Sequence, residues 1–398
     1  MKKKPELADF NDCLGCMLCY DVCPKNAIDI KENNNGYWMP FINSEKCIGC
    51  LLCEKKCKEV RLTTLTNRCK KPLRAYNQDN NSRSQSSSGG AFAAIAKYVI
   101  QKYKAVVIGA TLHHNKVYHI AIQTPQDIIN LQGSKYIQSN TKGIYQLTHN
   151  FLEQGRFVLF SGTPCQVQAL NIFLKKPYEN LLTIDLICHG VISNYIFTRH
   201  IELNPCDEVI AFRDKSLGWG KDSFFKTKTN GKISVNTDWR KNYFYHVFQL
   251  ETCTRANCYK CQFCQLNRAS DITLGDYWAD KKSNNYDKLG LSSILCNTAK
   301  GSQIVSATKE LHIQPIDWST TIKPNPRLVI NRPTFQSFSC NKHIGWIYRY
   351  FPNYIADQIV GTWYSKRNLL FLPWFKHILK VKQKYNSQYQ KYLKSLNL

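Results

Sequence analysis

The apolar residues in the middle of the chain follow two alternating spacings. Short continuous runs, typical of buried strands, are each followed by a turn and by a segment with apolar residues at helical spacing. This order predicts parallel strands that are connected by helices. The strands are predicted at residues 156–160 and 181–187, and the helices at residues 166–174 and from about residue 194.

The same patterns predict the elements on either side of this unit. Helical spacing indicates helices over residues 88–103 and 141–153 and from about residue 301. Further strands are predicted at residues 105–112, 117–123, 208–213, 271–278 and 292–296, and hairpin turns at 33–36, 113–116 and 229–232. His113 and His114 fall at one hairpin tip, where we expect both side chains to be solvated.

Residues 68–88 interrupt this regular pattern. They are polar, rich in asparagine and serine, and show no apolar periodicity. Such a composition predicts a linker, or a loop that becomes ordered on a cofactor.

The length and the cysteine count narrow the class of protein. A chain of 398 residues is long enough for two or three domains, and no run reaches the roughly 18 apolar residues that a membrane-spanning helix needs. The first residues are charged and lack the apolar segment of a signal peptide, so we expect a cytoplasmic, reducing location. In that setting 18 cysteines indicate metal sites rather than disulfides.

An internal cysteine repeat near the N-terminus carries the most specific chemical signal. Three cysteines at two-residue spacing wrap one face of a [4Fe-4S] cluster, and the fourth binds the other cluster of a pair. Gly15 and Gly49 occupy matching turn positions in two repeats that are offset by 34 residues. One cluster is thereby assigned to Cys13, Cys16, Cys19 and Cys57, and the other to Cys47, Cys50, Cys53 and Cys23. This stretch of about 50 residues resembles the bacterial two-cluster ferredoxin, except that Lys58 stands where the first repeat has Pro24.

The remaining cysteines are compatible with several kinds of site. Cys253, Cys258, Cys261 and Cys264 are close in sequence and suit zinc, a redox dithiol or an iron–sulfur site. Cys165 and Cys188 each follow a predicted strand, and the carboxyl ends of strands in open parallel sheets bind ligands. A free cysteine in such a place is also compatible with a small buried apolar residue.

Two polar segments could bind an anionic cofactor. Ser88-Gly89-Gly90 starts a predicted helix, whose free amides either bind a phosphate or are simply capped. The loop 132–140 offers hydroxyl groups and Lys135 to a ribityl chain or a phosphate, and a plain connection explains it equally well.

Four motifs together resemble the coenzyme F420 hydrogenase/dehydrogenase beta-subunit family. They are Gly162-Thr163-Pro164-Cys165-Gln166, Cys188-His189-Gly190, Cys258-x-x-Cys261, and the run from Arg268 to Trp278 that contains Ser-Asp-Ile-Thr-Leu-Gly-Asp. With the segments 87–90 and 133–139, the likeness covers about residues 80–320. The motifs are most similar to a bacterial subgroup associated with polysaccharide biosynthesis.

This resemblance implies a flavin, FAD or FMN, and a third [4Fe-4S] cluster. The implied ligands of that cluster are Cys165, Cys188, Cys258 and Cys261, which would make the site a split one. His189 is a candidate for donating a proton to a substrate or a hydrogen bond to a cluster sulfur. The residues expected to contact flavin are Ser88, Gly89, Gly90, Ser134, Lys135, Tyr136, Ser139, Gly162, Thr163, Pro164, Gln166, Gly190 and Asp276.

The patterns and the resemblance predict three structural parts. They are an α+β ferredoxin-like N-terminal domain, an α/β flavin and iron–sulfur domain, and a basic helical C-terminal extension. The predicted segments are a two-cluster ferredoxin domain (1–65), a polar linker (66–88), the N-terminal region of the beta-subunit family (89–160), its C-terminal flavin and iron–sulfur region (161–320) and the extension (321–398).

The formal net charge of +26 indicates which classes of binding partner to expect. A basic surface favours solubility and attracts acidic proteins, phosphate cofactors and anionic membranes. An acidic electron donor such as ferredoxin or flavodoxin is an expected partner, and no nucleic-acid module is recognisable. The tail with Trp363, Trp374 and Phe375 has no acidic residue beyond Asp357, and it could pack on its own domain, dock on a partner or lie on a membrane surface.

The predicted function is that of an iron–sulfur flavoprotein oxidoreductase. Clusters would pass single electrons from a low-potential donor to the flavin, which pairs them for an organic substrate or the deazaflavin coenzyme F420. One alternative is an electron-transfer subunit that has no substrate site of its own and docks on a catalytic partner. A structural or regulatory iron–sulfur protein without flavin is a further alternative.

Overall fold

The computed structural model of the chain describes residues 3–219, 225–236, 244–245, 248, 254–279, 286–331, 387–391 and 393–394. The helices are α1 (Leu18–Asp21), α2 (Leu52–Leu62), α3 (Asn80–Gln85), α4 (Ala91–Tyr103), α5 (Ile144–Glu153), α6 (Pro164–Leu174), α7 (Asn194–Leu203), α8 (Ala299–Ala307) and α9 (Trp318–Ile322). The strands are β1 (Ile28–Glu32), β2 (Trp38–Ile42), β3 (Asn67–Arg68), β4 (Leu73–Asn77), β5 (Val106–His113), β6 (Lys116–Ile122), β7 (Val158–Gly162), β8 (Leu181–Leu186), β9 (Glu208–Ala211), β10 (Lys226–Thr229), β11 (Lys232–Val235), β12 (Asn267–Arg268), β13 (Ile272–Tyr277), β14 (Leu291–Cys296) and β15 (Leu311–Pro315).

Eight of the described strands form one mixed sheet, in the order β15-β4-β14-β13-β8-β7-β5-β6. The central strands β13, β8, β7 and β5 are parallel to one another, while their neighbours on both sides run antiparallel. The parallel β–α units predicted around residues 156–187 are therefore confirmed. Because these four strands point the same way, their carboxyl ends meet at one edge of the sheet.

Apolar cores cover both faces of this sheet. On one face α4 and α8 pack over residues such as Val107, Leu159 and Ile272. On the other face α5 and α6 pack over Val158 and Phe160. Successive residues of β7 thus enter different cores, as a strand buried on both faces requires.

The N-terminal domain is attached to the face of the sheet that carries α6. Strands β1 and β2 form the predicted antiparallel hairpin around residues 33–36. Leu18 of α1 and Val60 of α2 are buried in the same apolar cluster as Val167 and Leu170 of α6. This shared core places the cysteine repeat directly beside the turn that follows β7.

The linker predicted for residues 66–88 is wrong in its central part. Residues 73–77 form β4, which lies inside the sheet between β15 and β14, and residues 80–85 form α3. The strand was hidden because its pairing partners are more than 200 residues away, and only Ala75 and Asn77 are fully buried. Asn77 is held by hydrogen bonds rather than by apolar contacts, since its backbone N–H donates to Gly89 O at 2.7 Å.

Gly89→Ala is expected to destabilise the sheet around β4. An added Cβ would lie 2.5 Å from Ala75 O and 2.5 Å from Ser292 N, which are backbone atoms of β4 and β14. We expect a loss of about 1–3 kcal/mol in unfolding free energy, measured as a lower thermal midpoint. Gly109→Ala is the matched control, because its nearest contact is the Leu131 side chain at 3.4 Å. Equal midpoints for the two variants would contradict the expectation.

Part of the C-terminal extension lies within the described residues. Tyr389 and Leu393 are buried with Ile322 and Leu328, and the Tyr389 hydroxyl donates a hydrogen bond to Ile322 O at 2.6 Å. This short segment therefore packs on the chain's own domain. Trp363, Trp374 and Phe375, which we considered for a membrane surface, lie outside the described residues. Among the described residues, no helix is long and apolar enough to cross a membrane.

Candidate functional site

A cavity of about 640 Å³ opens at the carboxyl edge of the parallel strands. Its walls come from the turns after β7, β8 and β13, from the start of α4 and from the loop after β6. They also include Leu14 and Gly15 of the N-terminal domain. The cavity therefore lies where an open parallel sheet binds ligands.

Four cysteines from distant parts of the sequence line this cavity. Cys165 lies in the first turn of α6, Cys188 follows β8, and Cys258 and Cys261 come from the segment before β12. Gly190 allows the close approach of two of these segments, since a Cβ there would lie 3.1 Å from Cys258 Cβ. Its φ of +90° is also a conformation that favours glycine. The structure thus brings together all four residues of the predicted split site.

The pKa values of these thiols are shifted by burial and by one another's charges. Burial raises the pKa of Cys165 well above its ordinary value, and the charges of Cys188, Cys261 and Cys258 add to the rise. Burial likewise raises the pKa of Cys188 to about 11, with Cys258 as the largest thiol contribution. Four neutral thiols in such a place are costly to ionise. A bound cation or cluster removes that cost, because a coordinating thiol is deprotonated by the metal.

A fifth thiol, that of Cys264, leaves the local set of four cysteines as an alternative set of ligands. Cys264 lies in the same cavity, beside Cys261, and a hydrogen bond from the Cys261 thiol is the main cause of its lowered pKa. Cys253, the fourth member of the local set, lies outside the described residues. Within the described ranges, no group of three or more His, Cys, Asp and Glu side chains could hold a single metal ion.

The cysteine repeat of the N-terminal domain folds in a crossed arrangement. The charges of Cys16, Cys13 and Cys57 all contribute, after burial, to the raised pKa of Cys19. Cys53 is influenced in the same way by Cys23 and Cys50, and burial raises its pKa to about 11. Cys57 therefore lies with the first three cysteines of the chain, and Cys23 lies with the second set. Cys47 is half-buried at the start of the second repeat.

The two repeats differ in their distance from the cavity. Burial is the main cause of the raised pKa of Cys16, and Cys165 is the thiol whose charge adds most to it. Cys50 in the second repeat is exposed, as is the neighbouring Ile48. The first repeat is thus the inner one, beside the cavity, and the second is the outer one, at the surface.

Polar contacts hold the N-terminal domain on the sheet domain. Arg255 is fully buried; its Nε donates to Cys13 O at 2.7 Å and its Nη1 donates to Trp38 O at 3.2 Å. The Asp21 carboxylate accepts hydrogen bonds from the N–H groups of Gly143 and Tyr145 at the start of α5. A carboxylate at a helix N-terminus is favourable, so this contact caps α5 across the domain boundary.

Arg255→Met is expected to loosen this domain contact. The substitution leaves Cys13 O and Trp38 O without their buried donor, which we expect to cost on the order of 3 kcal/mol. Limited trypsin digestion should then cut after Arg61, in the last turn of α2 beside the exposed residues 62–64, faster than in the unsubstituted protein. Arg156→Met, far from this boundary, is the control, because its guanidinium donates to Lys104 O and Gln123 Oε1. Equal cleavage of both variants would argue against the role of Arg255.

The segments predicted to hold flavin also meet at the cavity. The N–H of Ser134 donates to Ser87 Oγ, which joins the loop after β6 to the start of α4. Gly90 caps α4 with a φ of +80°, and the first helical residues Ala91 and Phe92 line the cavity. All the predicted flavin-binding residues line it except Gly89, which packs against β4 and β14 instead.

Lys135 is the buried cation of this region. Its ammonium group donates to Gln132 O at 2.7 Å and to Leu131 O at 3.0 Å. Burial lowers the pKa of Lys135 to about 7. A lysine held in this way gains stability from a nearby anion, which would restore its charge.

Asp276 and His189 also lie in the cavity wall. Asp276 forms a half-buried ion pair with Arg213, with Oδ2 2.7 Å from Nη1. That pair fixes the turn after β13 beside Trp278, whose ring lies 5.6 Å from the Arg213 guanidinium. His189 stands between Cys188 and Gly190, a position compatible with either of its two predicted roles.

Sequence patterns did not point to three further residues of the site. His119 of β6 lies between Ser139 Oγ, 2.7 Å from Nδ1, and Ser161 O, 3.1 Å from Nε2. Burial lowers the pKa of His119 to about 4, so the ring is neutral at pH 7. Since a carbonyl only accepts, Nε2 carries the proton and Nδ1 accepts from Ser139. Lys215 and Arg327 are buried near or in the cavity wall and belong to no recognisable motif; only the fold brings them there.

The residues present fit the groups that the motifs imply. The four thiols of the split set line one cavity, whose wall adds Lys135, Arg213, Arg268 and Arg327 as cations. In the N-terminal repeat, the charge of Cys57 acts on Cys19 and that of Cys23 acts on Cys53, as the crossed sets require. Thiolates are the protein ligands of iron–sulfur clusters, and cations with free helical amides suit a phosphate.

Comparison with known proteins gives two matches along the chain. Residues 155–318 match the family described as the C terminus of the coenzyme F420 hydrogenase/dehydrogenase beta subunit. Residues 12–59 match the 4Fe-4S dicluster domain. Each of these matches covers less than half of the chain. Among solved structures, it is similar to a chain of the F420-reducing [NiFe] hydrogenase complex from Methanosarcina barkeri, at 17% identity and a TM-score of 0.47, covering 72% of this chain and 95% of that one. Comparison with the curated proteins found no significant match.

These matches confirm the coarse part of the sequence-based predictions. Residues 12–59 are similar to an iron–sulfur domain of the dicluster type, and residues 155–318 are similar to the C terminus of the coenzyme F420 hydrogenase/dehydrogenase beta subunit. The third cluster, the flavin and the polysaccharide-associated subgroup stay predictions.

Proposed function

We propose that the protein is an iron–sulfur flavoprotein oxidoreductase. In this proposal three [4Fe-4S] clusters pass single electrons from a low-potential donor, such as ferredoxin, to FAD or FMN, and flavin supplies hydride chemistry to an organic substrate or a deazaflavin coenzyme. The third cluster would be held by Cys165, Cys188, Cys258 and Cys261.

One observation carries the proposal. A single cavity is lined by the four thiols and by residues 86–88, 90 and 133–139, while the charge of Cys165 acts on Cys16 of the inner repeat. Thiols for electron carriers and a phosphate-type binding site are thus contiguous. The exposed outer repeat, with Cys50 at the surface, supports the order in which donor electrons would arrive.

The chain's own residues would prepare this cavity for its cofactors. Thr163 and Gln166 form a capping box that fixes the turn carrying Cys165, and the Thr163 hydroxyl lies 3.1 Å from Cys165 Sγ. The neutral His119 holds Ser139 in place. The free amides of α4 and the Lys135 ammonium would bind a flavin phosphate, and the apolar wall around Phe92 and Leu131 would exclude water.

An electron-transfer subunit that needs a catalytic partner is the second candidate. The observation that favours it is the cavity mouth, where Leu186 and Trp278 are large apolar residues with 43% and 44% of their surface exposed. Exposed apolar residues beside a redox site are typical of a docking surface. The polysaccharide-associated role and the membrane surface remain hypotheses based on the sequence alone.

Anaerobic purification followed by cofactor analysis tests the proposal. We expect about twelve iron atoms per chain, since three [4Fe-4S] clusters hold four each, together with one acid-extractable flavin. Stopped-flow mixing with reduced ferredoxin should bleach the clusters first and the flavin afterwards. Absence of flavin would overturn the proposal. Flavin reduction without turnover of any small molecule, including coenzyme F420, would favour the electron-transfer role.

A further inference from the structure

Arg327 places a buried charge directly among the cysteine loops of the split site. The short helical turn Pro326–Leu328 carries it, and only 3% of its surface is exposed. Its Nη2 donates to Cys258 O at 3.0 Å and its Nε donates to Cys188 O at 3.4 Å. The guanidinium thus joins two chain segments that supply predicted ligands.

The third nitrogen of this guanidinium points to a missing partner. Nη1 of Arg327 is buried and makes no hydrogen bond to any described part of the chain. Buried polar groups in proteins are nearly always hydrogen-bonded, and a buried charged donor without an acceptor is costly. An acceptor held inside the cavity, such as a thiolate or an inorganic sulfide, would remove that cost.

The charges around Arg327 have the sign that such an acceptor requires. After the effect of burial, the groups that act on its pKa are Cys264, Cys261, Cys258 and Cys188, all of which raise it. Arg268, another buried arginine of the cavity, differs because it is paired with Asp185 at 3.1 Å. The charge of Arg268 is already compensated within the protein, whereas the charge of Arg327 faces thiols.

We propose that Arg327 is a positioning residue that raises the reduction potential of the third cluster. This inference rests on the proposed function, because it requires that cluster to be present. The step concerned transfers one electron from a reduced cluster of the N-terminal domain, which is oxidised, to the third cluster, which is reduced; no proton moves and no bond forms or breaks. The reduced site carries one more negative charge, so a fixed cation beside it stabilises the reduced form.

Three variants test the inference by EPR-monitored redox titration of the holoprotein. Arg327→Gln removes the charge, Arg327→Lys keeps it, and Arg156→Gln is the distant control. The titrating signal of the third cluster is identified by its loss in Cys165→Ser. In Arg327→Gln we expect the equilibrium constant for its reduction to fall about tenfold, which is a shift of about 59 mV to lower potential for one electron. Arg327→Lys and Arg156→Gln should stay near the unsubstituted protein, and the N-terminal clusters should not shift in any variant.

Each other outcome decides the question. If Arg327→Gln keeps its iron and its potential, the inference is wrong while the proposed function stands. If Arg327→Gln does not retain the third cluster, Arg327→Lys decides: an unchanged potential supports the role of charge, and a lowered potential or a lost cluster contradicts it. If the unsubstituted protein holds only about eight iron atoms per chain, both the proposed function and this inference are overturned.

Discussion

Cys165→Ser is expected to lower the iron content from about twelve to about eight atoms per chain, because one of three [4Fe-4S] clusters would be lost. The N-terminal clusters should remain, since their thiols belong to a separate domain. Donor electrons should then no longer reach flavin, because the carrier between Cys16 and the cavity is missing. Iron and sulfide analysis of anaerobically purified protein measures the first effect, and stopped-flow flavin bleaching measures the second.

Matched cysteine variants make this result specific. Cys206→Ser is the control, since Cys206 is half-buried in a separate part of the molecule near Phe197 and Ile201. It should retain about twelve iron atoms. An iron content that stays near twelve in Cys165→Ser would exclude the split site. Cys264→Ser then becomes the informative variant, because Cys264 belongs only to the local set.

The ferredoxin-like domain and the cavity edge could be predicted from the sequence because both are encoded locally. Two-residue cysteine spacing forces three thiols around one centre, and the apolar run at residues 156–160 followed by a turn and a helix defines a strand end. Cys165 and Cys188 can therefore be placed at one edge of the sheet from local sequence patterns alone. The match to the two known domains agrees with those local signals.

The rest depends on contacts between residues far apart in the chain. Strand β4 was missed because Ala75 pairs with Ser292 and Ile313, whose positions only the folded sheet determines. Arg327 is separated from Cys188 by 139 residues, and nothing in its neighbourhood marks it as part of the cavity. The crossed cysteine sets are an intermediate case, since the repeat predicts them and the shared core of α1, α2 and α6 explains why they lie beside Cys165.

Flavin affinity is expected to fall as the pH rises above 7, and Lys135 is the reason. Burial lowers the pKa of Lys135 to about 7 in the flavin-free protein, and a bound phosphate would raise it again. Flavin binding would then be coupled to proton uptake on the alkaline side. Because one proton is taken up on binding, flavin affinity falls by at most about tenfold per pH unit, or about a hundredfold between pH 7 and 9. Titration of flavin-free protein with FAD and with FMN, followed by fluorescence quenching, measures it.

Three substitutions identify the residue that causes this pH dependence, which is measured as the slope of flavin affinity against pH. Lys135→Met should bind flavin weakly at every pH and lose the slope, whereas Lys135→Arg should bind without a slope because arginine keeps its charge. Lys215 is the necessary comparison, since burial lowers its pKa to about 7 as well, and its ammonium donates to Ser88 O and Leu289 O rather than to the loop after β6. Lys215→Met should therefore retain the pH dependence. If Lys215→Met abolishes the slope and Lys135→Met keeps it, the anion is bound beside Lys215 and the role given to Lys135 is wrong.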